Sequence, residues 1–305
     1  MYRVRKQVGL TDRLMNSLNG AGVAVAVLDT GIGYHPDFDG RILAFRDFLH
    51  GRYPNYDDSG HGTHVAGCIA GSGFASNGKN KGMSPNSRLI IGKVLNHQGD
   101  GNIEEMINGI EWVLENKARY NIRILNISIG MSDETSKERM HRLLRVVDEA
   151  WCEGLLVVCA AGNTGPDLMT LSPLGALQKV VTVGCNEAGY FGNRKYLCEH
   201  YSGRGPSPIA AKKPDIVAPG TDIISCNLNI KQRASKFINA YVAKSGTSMS
   251  TPIVSGALAL LLQKYPYYNN EQAKRKLLNS AVDLKQPFNK QGHGLLNVGR
   301  MLNEN

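Results

Sequence analysis

The feature that most constrains the fold of this 305-residue chain is a repeated alternation of short apolar runs with amphipathic stretches. The runs are rich in β-branched residues and continuously apolar, which is typical of strands buried on both faces of a parallel sheet. The strand candidates are Val23–Leu28, Leu89–Val94, Ile124–Ile129, Leu155–Ala160, Val180–Gly184 and Asp222–Ser225. The helix candidates are Asn102–Asn116, Ser136–Glu153, Thr247–Lys264 and Glu271–Ser280. This rhythm predicts an α/β fold with a mostly parallel central sheet flanked by helices.

Composition narrows the classes of partner. The chain is 42% hydrophobic and 20% charged, as expected of a globular protein. Its formal net charge of +9 comes from scattered residues rather than from a long Lys/Arg run, so we expect no nucleic acid partner. Apolar runs fall far short of the roughly 20 residues that cross a bilayer, so no membrane partner is expected. The oligomeric state is left open.

The cysteines bear on the cellular compartment. The six cysteines contain no CxxC pair, which argues against a zinc site. Most lie among apolar neighbours, as Cys159 and Cys185 do, so we expect buried free thiols, although the even count leaves disulfides open. The basic start of the chain, residues 1–6, is not followed by the apolar stretch of a secretory signal. We therefore expect a cytoplasmic rather than a secreted protein.

Two polar residues follow or begin predicted elements at positions suited to chemistry. Asp29 ends the first strand, and the carboxyl ends of parallel strands are where α/β sheets place catalytic groups. It either orients a base or simply forms the turn that follows. His61 lies between two glycines at a predicted helix start, open to a partner. His61 and His64 could instead ligate a metal, but the HExxH pattern is absent and no third ligand is evident.

A serine and an asparagine complete the candidate set. Ser248 lies among small residues at the start of a long helix, and a serine nucleophile needs a base and an oxyanion donor. Asn163 follows a predicted strand, where it either tolerates a left-handed backbone or donates its amide to an oxyanion. The chain order Asp29, His61, Ser248 is one of the known orders of a serine-protease triad.

The motifs around these residues resemble those of the subtilases, the subtilisin-like serine peptidases. The matching catalytic signatures are Asp29–Gly31, His61–Gly67 and Gly246–Pro252, the oxyanion-hole stretch is Ala160–Asn163, and the structural stretches are Tyr201–Pro206 and Lys213–Gly220. The resemblance runs from about Gly22 to Leu302. The segments Lys93–Asn96, Asn108–Trp112 and Ala161–Asp167 are similar to the bacterial AprX-like branch.

The resemblance implies a subtilisin-like three-layer fold, with an N-terminal extension (residues 1–21) and a single catalytic domain (residues 22–305). It implies a serine endopeptidase of broad specificity that acts on proteins or peptides. Ser248 would be the nucleophile, His61 the general base and then acid, and Asp29 the carboxylate that orients His61. Asn163 and the Ser248 N–H would form the oxyanion hole, and His64 would be structural. The alternative is a catalytically silent binding or regulatory protein of this fold, which the intact residues disfavour.

The resemblance also marks two segments that flank a bound peptide and one wall of a side-chain pocket. Glycines there allow a peptide backbone to approach for β-type pairing. The substrate-binding candidates are Gly99, Asp100, Gly101, Ser128, Ile129, Gly130, Ala160, Ala161 and Gly162. The primary pocket would lie between Ser128–Gly130 and Ala160–Asn163, whose small, uncharged linings favour a large apolar residue before the scissile bond. Asp100 either favours basic residues further along the peptide or is a solvated turn residue.

No cofactor is expected for the chemistry. Many subtilases bind structural Ca²⁺, and the corresponding loop falls in residues 71–82, which contain Lys79 and Lys81 but no acidic residue. Calcium takes about six to eight oxygen ligands, so a strong site there is not expected. Asp37 matches one ligand position, and weaker sites elsewhere stay open. Pro173 matches a family proline that is often preceded by a cis bond.

Overall fold

A computed structural model describes residues 1–129, 136–187, 196–206, 212–234 and 236–302. In chain order, the helices and strands are α1 (Tyr2–Gln7), α2 (Asp12–Ser17), β1 (Ala24–Asp29), β2 (Ile42–Asp47), α3 (His61–Ala70), β3 (Arg88–Lys93), α4 (Ile103–Tyr120), β4 (Ile122–Ile127), α5 (Lys137–Cys152), β5 (Leu156–Ala160), β6 (Val181–Cys185), β7 (Ile216–Ala218), β8 (Ile223–Cys226), β9 (Lys231–Arg233), β10 (Lys236–Ile238), β11 (Tyr241–Lys244), α6 (Thr247–Lys264), α7 (Asn270–Asn279), α8 (Phe288–Gln291) and α9 (Val298–Met301).

Seven parallel strands form the central sheet, in the order β2-β3-β1-β4-β5-β6-β7. Helices α3 and α6 pack on each other, and so do α4 and α5. A Cβ atom on Gly62 of α3 would lie 3.2 Å from the Asp29 side chain, and one on Gly109 of α4 would lie 3.2 Å from the Leu28 side chain. Because successive residues of a strand point to opposite faces, α3 and α4 cover opposite faces of the sheet. The predicted α/β fold with a parallel sheet between two helical layers is confirmed.

The central strands are those that the apolar runs predicted, because β1, β4, β5 and β6 are buried along nearly their whole length. The candidate Asp222–Ser225 does form a strand, but its assignment to the parallel central sheet was wrong. Its strand, β8, pairs antiparallel with β11 outside the central sheet. Ile224 on β8 is exposed, so this strand has the alternating burial of a half-covered ribbon rather than that of a sheet interior.

Two strands of the central sheet were not predicted from the sequence. β2 lies at one edge of the sheet, and most of its residues are only half-buried, so it lacks a continuous apolar signal. β7 lies at the other edge and is only three residues long. Both adopt the strand conformation because they pair with a neighbouring strand, and neither has a sequence pattern long enough to predict it.

Helix α6 crosses the centre of its layer and contacts β4, β5, β6 and β7. Its middle, Ala257–Leu262, is fully buried and apolar around its whole circumference, as expected of a helix without a solvent face. The first turn of α6 lies at the edge of the sheet where the strands end. A rigid buried helix therefore carries Ser248.

The N-terminal extension packs on the rest of the molecule. Val4, Leu10 and Leu14 are buried in the same hydrophobic core as the central sheet. The Arg5 guanidinium donates to the backbone oxygens of Lys79 and Lys81 in the loop after α3. The domain boundary at residue 21 stays a prediction.

Three further expectations concern side chains and peptide bonds. All six cysteines are free; Cys152 is exposed and the other five are buried. Burial raises the pKa of Cys159 to about 12, which keeps that thiol protonated. The cis peptide bonds of the described residues precede Pro54, Pro166, Pro206 and Pro214, so the expectation for Pro173 was wrong. Among the described helices, none combines the length and apolarity needed to span a bilayer.

Candidate active site

The four candidate residues lie at helix starts and strand ends. Asp29 is the last residue of β1, and Asn163 follows the end of β5. His61 begins α3, and Ser248 is the second residue of α6. Because parallel strands end at one edge of the sheet, Asp29 and Asn163 open on the same side of the molecule.

Asp29 and His61 form a direct hydrogen bond. The Nδ1 atom of His61 lies 2.7 Å from Oδ1 of Asp29, whose side chain is fully buried. The Thr30 backbone N–H donates to the same oxygen at 2.7 Å. Since an ionised carboxylate only accepts, Nδ1 carries the proton and Nε2 is left as an acceptor. This is the tautomer that a general base requires.

The environment of His61 favours its protonation. Burial by itself lowers the pKa of His61, but the charge of Asp29 and the hydrogen bond to it raise that pKa above the ordinary value of 6.5. The imidazolium that forms when His61 accepts a proton is therefore stabilised by the buried carboxylate.

Asp57 holds the turn that leads into His61, and sequence reasoning missed it. Its Oδ1 accepts from Thr30 Oγ1 at 2.9 Å and from the Gly60 N–H at 2.8 Å. Its Oδ2 accepts from the N–H and hydroxyl of Thr63 at 2.9 and 2.6 Å. The N-cap of α3 is Gly60, so Asp57 lies three residues before the capping position. A carboxylate shortly before a helix start was the available signal, because it can accept the free N–H groups of the first turn.

Lys93 was also missed. Its Nζ is fully buried at the end of β3 and donates to Thr30 O at 2.8 Å, Leu95 O at 2.7 Å and Asp58 Oδ1 at 2.7 Å. A single lysine ending an apolar strand was the available signal, because a buried charge needs such partners. Lys93 thus ties the backbone after Asp29 to the segment before His61.

The turn that presents Ser248 is held from both sides. Gly246 precedes α6 with φ +144°, a conformation that favours glycine, and its N–H donates to Gly220 O at 2.9 Å. The Ser250 hydroxyl donates to Ala218 O at 3.1 Å. A Cβ atom on Gly246 would lie 3.4 Å from the Asn163 Nδ2 atom, so the amide lies directly beside this turn.

The Asn163 side chain has a fixed orientation. Its Oδ1 accepts from both the N–H and the hydroxyl of Thr247 at 3.0 Å. Since both Thr247 groups are placed to donate to Oδ1, the donor face of the amide, Nδ2, remains for another partner next to Ser248. An oxyanion formed at Ser248 would meet that donor.

Contacts of α3 place His61 beside the chain that leads into Ser248. His64, one turn further along α3, donates from Nε2 to Ile223 O at 2.8 Å, and Val242 O on β11 lies 3.2 Å away. Burial lowers the pKa of His64 to about 3, so this ring stays neutral, in keeping with its expected structural role. Strand β11 runs directly into the turn before α6. No hydrogen bond joins the His61 ring to the Ser248 hydroxyl, both of which lie in described segments.

The first substrate-flanking segment is a tight turn. Asn96 Oδ1 accepts from the N–H of Asp100 at 3.0 Å, which holds the turn. Gly99 has φ +88°, and a Cβ on Gly101 would lie 2.3 Å from Val94 O, so both positions require glycine. Asp100 is exposed.

The second segment follows β4. Ser128 Oγ accepts from Asn126 Nδ2 at 2.7 Å, and Asn126 Oδ1 accepts from the Ser255 hydroxyl of α6 at 2.8 Å. This chain of bonds links the segment to the helix that carries Ser248. Ile129 is buried, and Gly130 lies outside the described residues.

The expected pocket wall follows β5. Ala160, Ala161 and Gly162 are all buried, and Gly162 has φ +97°. Their carbonyl groups are bonded inside the protein: Ser172 donates its hydroxyl to Ala160 O at 2.6 Å and its N–H to Ala161 O at 2.8 Å. The segment thus presents small side chains on a backbone that these hydrogen bonds hold in place.

A cluster of possible metal ligands lies below the loop 71–82. His35, Asp37 and Cys226 are buried, with one ligand atom each within 4.8 Å of one another. The ring nitrogens of His35 are engaged, because Nδ1 accepts from Asp37 N at 3.1 Å and Nε2 lies 2.7 Å from Ala240 O.

The Asp37 carboxylate accepts hydrogen bonds from protein groups, whereas a calcium ligand would direct its oxygens at the ion. Its oxygens accept from the N–H groups of Gly73 and Ala75 at 3.0 Å and from the Tyr241 hydroxyl at 2.9 Å. These N–H groups point at the carboxylate, and residues 71–82 supply no second carboxylate. The described residues therefore do not fit Ca²⁺ at this loop.

Comparisons with known proteins agree with this geometry. Residues 20–294 match the Subtilase family. The chain is 40% identical over 293 residues to the serine protease AprX of Bacillus subtilis (strain 168), an alignment that covers 92% of this chain and 66% of AprX. It is 34% identical over 281 residues to Subtilisin Savinase of Lederbergia lenta, covering 92% of this chain and 91% of that protein.

Solved structures show the same fold. Sphericase superposes with a TM-score of 0.80 at 28% identity, covering 97% of each chain. The S41 Psychrophilic Protease superposes with a TM-score of 0.77 at 28% identity, covering 92% of each. The chain spans about two thirds of the length of AprX. By family match, sequence identity and fold, this chain belongs to the subtilases, the subtilisin-type serine endopeptidases.

Proposed function

We propose that this chain hydrolyses peptide bonds in proteins through an acyl-enzyme, with Ser248, His61 and Asp29 as its catalytic triad. The observation that carries the proposal is the 2.7 Å hydrogen bond between His61 and the buried Asp29. That bond orients the imidazole at the start of α3, and Ser248 lies at the start of α6, in a member of a family that needs no cofactor for catalysis. A silent binding protein would have no use for this pair.

In the proposed mechanism, His61 Nε2 accepts the proton of the Ser248 hydroxyl as its oxygen attacks the substrate carbonyl. Asp29 stabilises the resulting imidazolium. The oxyanion accepts hydrogen bonds from Asn163 Nδ2 and the Ser248 N–H, aided by the positive end of the α6 dipole. His61 then protonates the leaving amine, and water repeats the cycle to release the acid.

The substrate lies extended between the two flanking segments, Gly99–Gly101 and Ser128–Gly130, with its main chain paired to theirs. The side chain before the scissile bond enters the pocket bounded by Ala160, Ala161 and Gly162. The small side chains there support tolerance for large apolar residues. We further propose a cytoplasmic location in a bacterial cell and no nucleic acid or membrane partner; five buried free thiols support the location.

Asn163→Ala is expected to lower kcat by about 10²–10³-fold with little change in KM, because the amide meets charge that exists only in the transition state. Steady-state kinetics on one peptide substrate measures both parameters. Asn279→Ala, which removes an exposed amide at the end of α7, is the control. A loss confined to KM would contradict the oxyanion role.

We propose that Asp37 stabilises loop 71–82 without calcium. EDTA is then expected to leave both the activity and the Tm unchanged. Asp37→Ala is expected to lower the free energy of unfolding by about 3 kcal/mol, since it leaves two N–H groups and a hydroxyl without their acceptor. Thermal and denaturant unfolding measure this, with Asp37→Asn, which keeps one acceptor oxygen, as the matched variant. A Tm that falls with EDTA and recovers with Ca²⁺ would contradict it.

The proposed function is tested by incubating the purified chain with a peptide library and identifying the products by mass spectrometry. We expect cleavage within peptides, with large apolar residues before the cut. Parallel reactions with EDTA separate metal dependence from catalysis. A purified, folded chain that cleaves no peptide supports the silent alternative.

A further inference from the structure

One surface, which begins beside Gly60, the residue before His61, is rich in basic residues. The basic trough consists of the loop 71–82 and of residues 227–234 and 236–244, which contain β9, β10 and β11. Together the two segments contain Lys79, Lys81, Lys231, Arg233, Lys236 and Lys244 and no Asp or Glu. No acidic residue occurs anywhere in the sequence between Asp222 and Glu271. The acidic residue below the loop, Asp37, is fully buried.

The two segments flank an open cavity of about 690 Å³. Phe74 from the loop and Phe237 from the hairpin line it, with ring centroids 6.0 Å apart, and Lys81 and Lys236 line it as well. Phe74 is 65% exposed, which is a large apolar surface to leave in water. The cavity therefore offers aromatic rings and ammonium groups to the same ligand.

The basic trough is continuous with the catalytic site. The Leu228 side chain lies against Gly33 and Gly60, the residue before His61. Lys244 ends β11, close to the turn that presents Ser248. After the effects of burial and of Asp29, the Lys244 charge acts to lower the pKa of His61, so its ammonium is within electrostatic range of the ring.

The proposed reaction indicates which half of a bound substrate lies nearer to the basic trough. His61 protonates the leaving amine, so the C-terminal half of the peptide departs on the His61 side. The N-terminal half lies between Gly99–Gly101 and Ser128–Ile129. The basic trough is thus the surface that the leaving half meets next.

We propose that the basic trough binds acidic residues on the C-terminal side of the scissile bond, so that the chain prefers proteins whose leaving half is acidic. This inference rests on the proposed function. Lys244 pairs with acidic residues near the bond, whereas Lys81 and Lys236 pair with those further along. Nucleic acid and anionic lipid also complement positive charge, but the groove delivers a bound peptide directly to this surface.

The test uses peptides with one common N-terminal half and a leaving half that contains either Glu or its neutral isostere Gln. We expect each Glu to raise kcat/KM about threefold, and several together about tenfold, in line with solvent-exposed ion pairs. The preference should shrink as NaCl is raised towards about 1 M, where screening is short-ranged. Mass spectrometry verifies that every peptide is cut at the same bond.

Variants assign the preference to its residues. Lys244→Gln should abolish the preference for Glu near the scissile bond. The double variant Lys81→Gln, Lys236→Gln should abolish the preference for Glu further along the leaving half. Lys137→Gln, on the opposite helical layer, makes the same charge change and should leave both preferences intact. Because each Glu/Gln ratio is taken within one variant, differences in folded fraction cancel.

Several outcomes overturn the inference. Equal cleavage of Glu and Gln peptides by the unaltered chain overturns the inference but leaves the proposed function standing. A preference for Glu that persists in the Lys→Gln variants also overturns the inference. Binding of DNA or anionic vesicles through Lys81 and Lys236, with no peptide preference, assigns the surface to another ligand. A chain that cleaves no peptide and reacts with no serine-directed inhibitor overturns the proposed function and this inference together.

Discussion

Ser248→Ala is expected to lower kcat for peptide hydrolysis by about 10⁶-fold, which is the scale of loss when a triad loses its nucleophile. Alanine removes the oxygen that forms the acyl-enzyme and leaves the helix start nearly unchanged. The residual rate then comes from Asn163 and from substrate binding alone. Hydrolysis of a fluorogenic peptide measures the loss.

The Ser248→Ala protein must be shown to fold, because Ser248 begins a buried helix. Equal Tm values and equal binding of an uncleaved peptide would establish this. Ser17→Ala, which removes an exposed hydroxyl from α2, is the matched control and should retain full activity. Substantial residual hydrolysis, sensitive to the same inhibitors as the unaltered chain, would contradict the role of Ser248.

Asp29→Asn is expected to lower kcat by about 10⁴-fold, because an amide in place of the carboxylate holds the wrong tautomer of His61. It should also change the pH dependence. His61 acts as a base only when neutral, so activity rises with pH through its pKa. Asp29 raises that pKa above 6.5, and its removal should move the rise in kcat/KM to lower pH.

The pH profile separates this role from a general loss of structure. A merely destabilised protein would lose activity at all pH values without moving the midpoint of its acid limb. Asp148→Asn, which removes a surface carboxylate 3.3 Å from Lys179, is the control and should alter neither rate nor midpoint. A midpoint unchanged in Asp29→Asn would contradict the electrostatic coupling of Asp29 to His61.

The parts of the fold that the sequence predicted are those in which local pattern and tertiary environment agree. The runs that became β1, β3 and β5 are apolar because helices cover both faces. β2 was not predicted because its residues are mostly only half-buried, so it lacks a continuous apolar run. β8 was assigned to the wrong sheet because apolar residues alone do not specify which sheet a strand joins. Edge position is a property of the assembled sheet, which a single segment does not encode.

The candidate site shows the same division. Asp29, His61, Asn163 and Ser248 were recognisable because each stands in a characteristic local motif. Asp57 and Lys93 support that site through hydrogen bonds to Thr30, which is distant from both in sequence. The cavity between Phe74 and Phe237 likewise depends on how a loop and a hairpin meet.

In the proposed mechanism, Ser248 is a nucleophile activated by His61 and Asp29. Reaction of the folded chain with a fluorophosphonate, followed by peptide mapping, tests this role most directly. We expect a single modified residue, Ser248, with labelling slowed strongly in Asp29→Asn and absent in Ser248→Ala. Absence of labelling in the unaltered chain, or labelling at another serine, would contradict it.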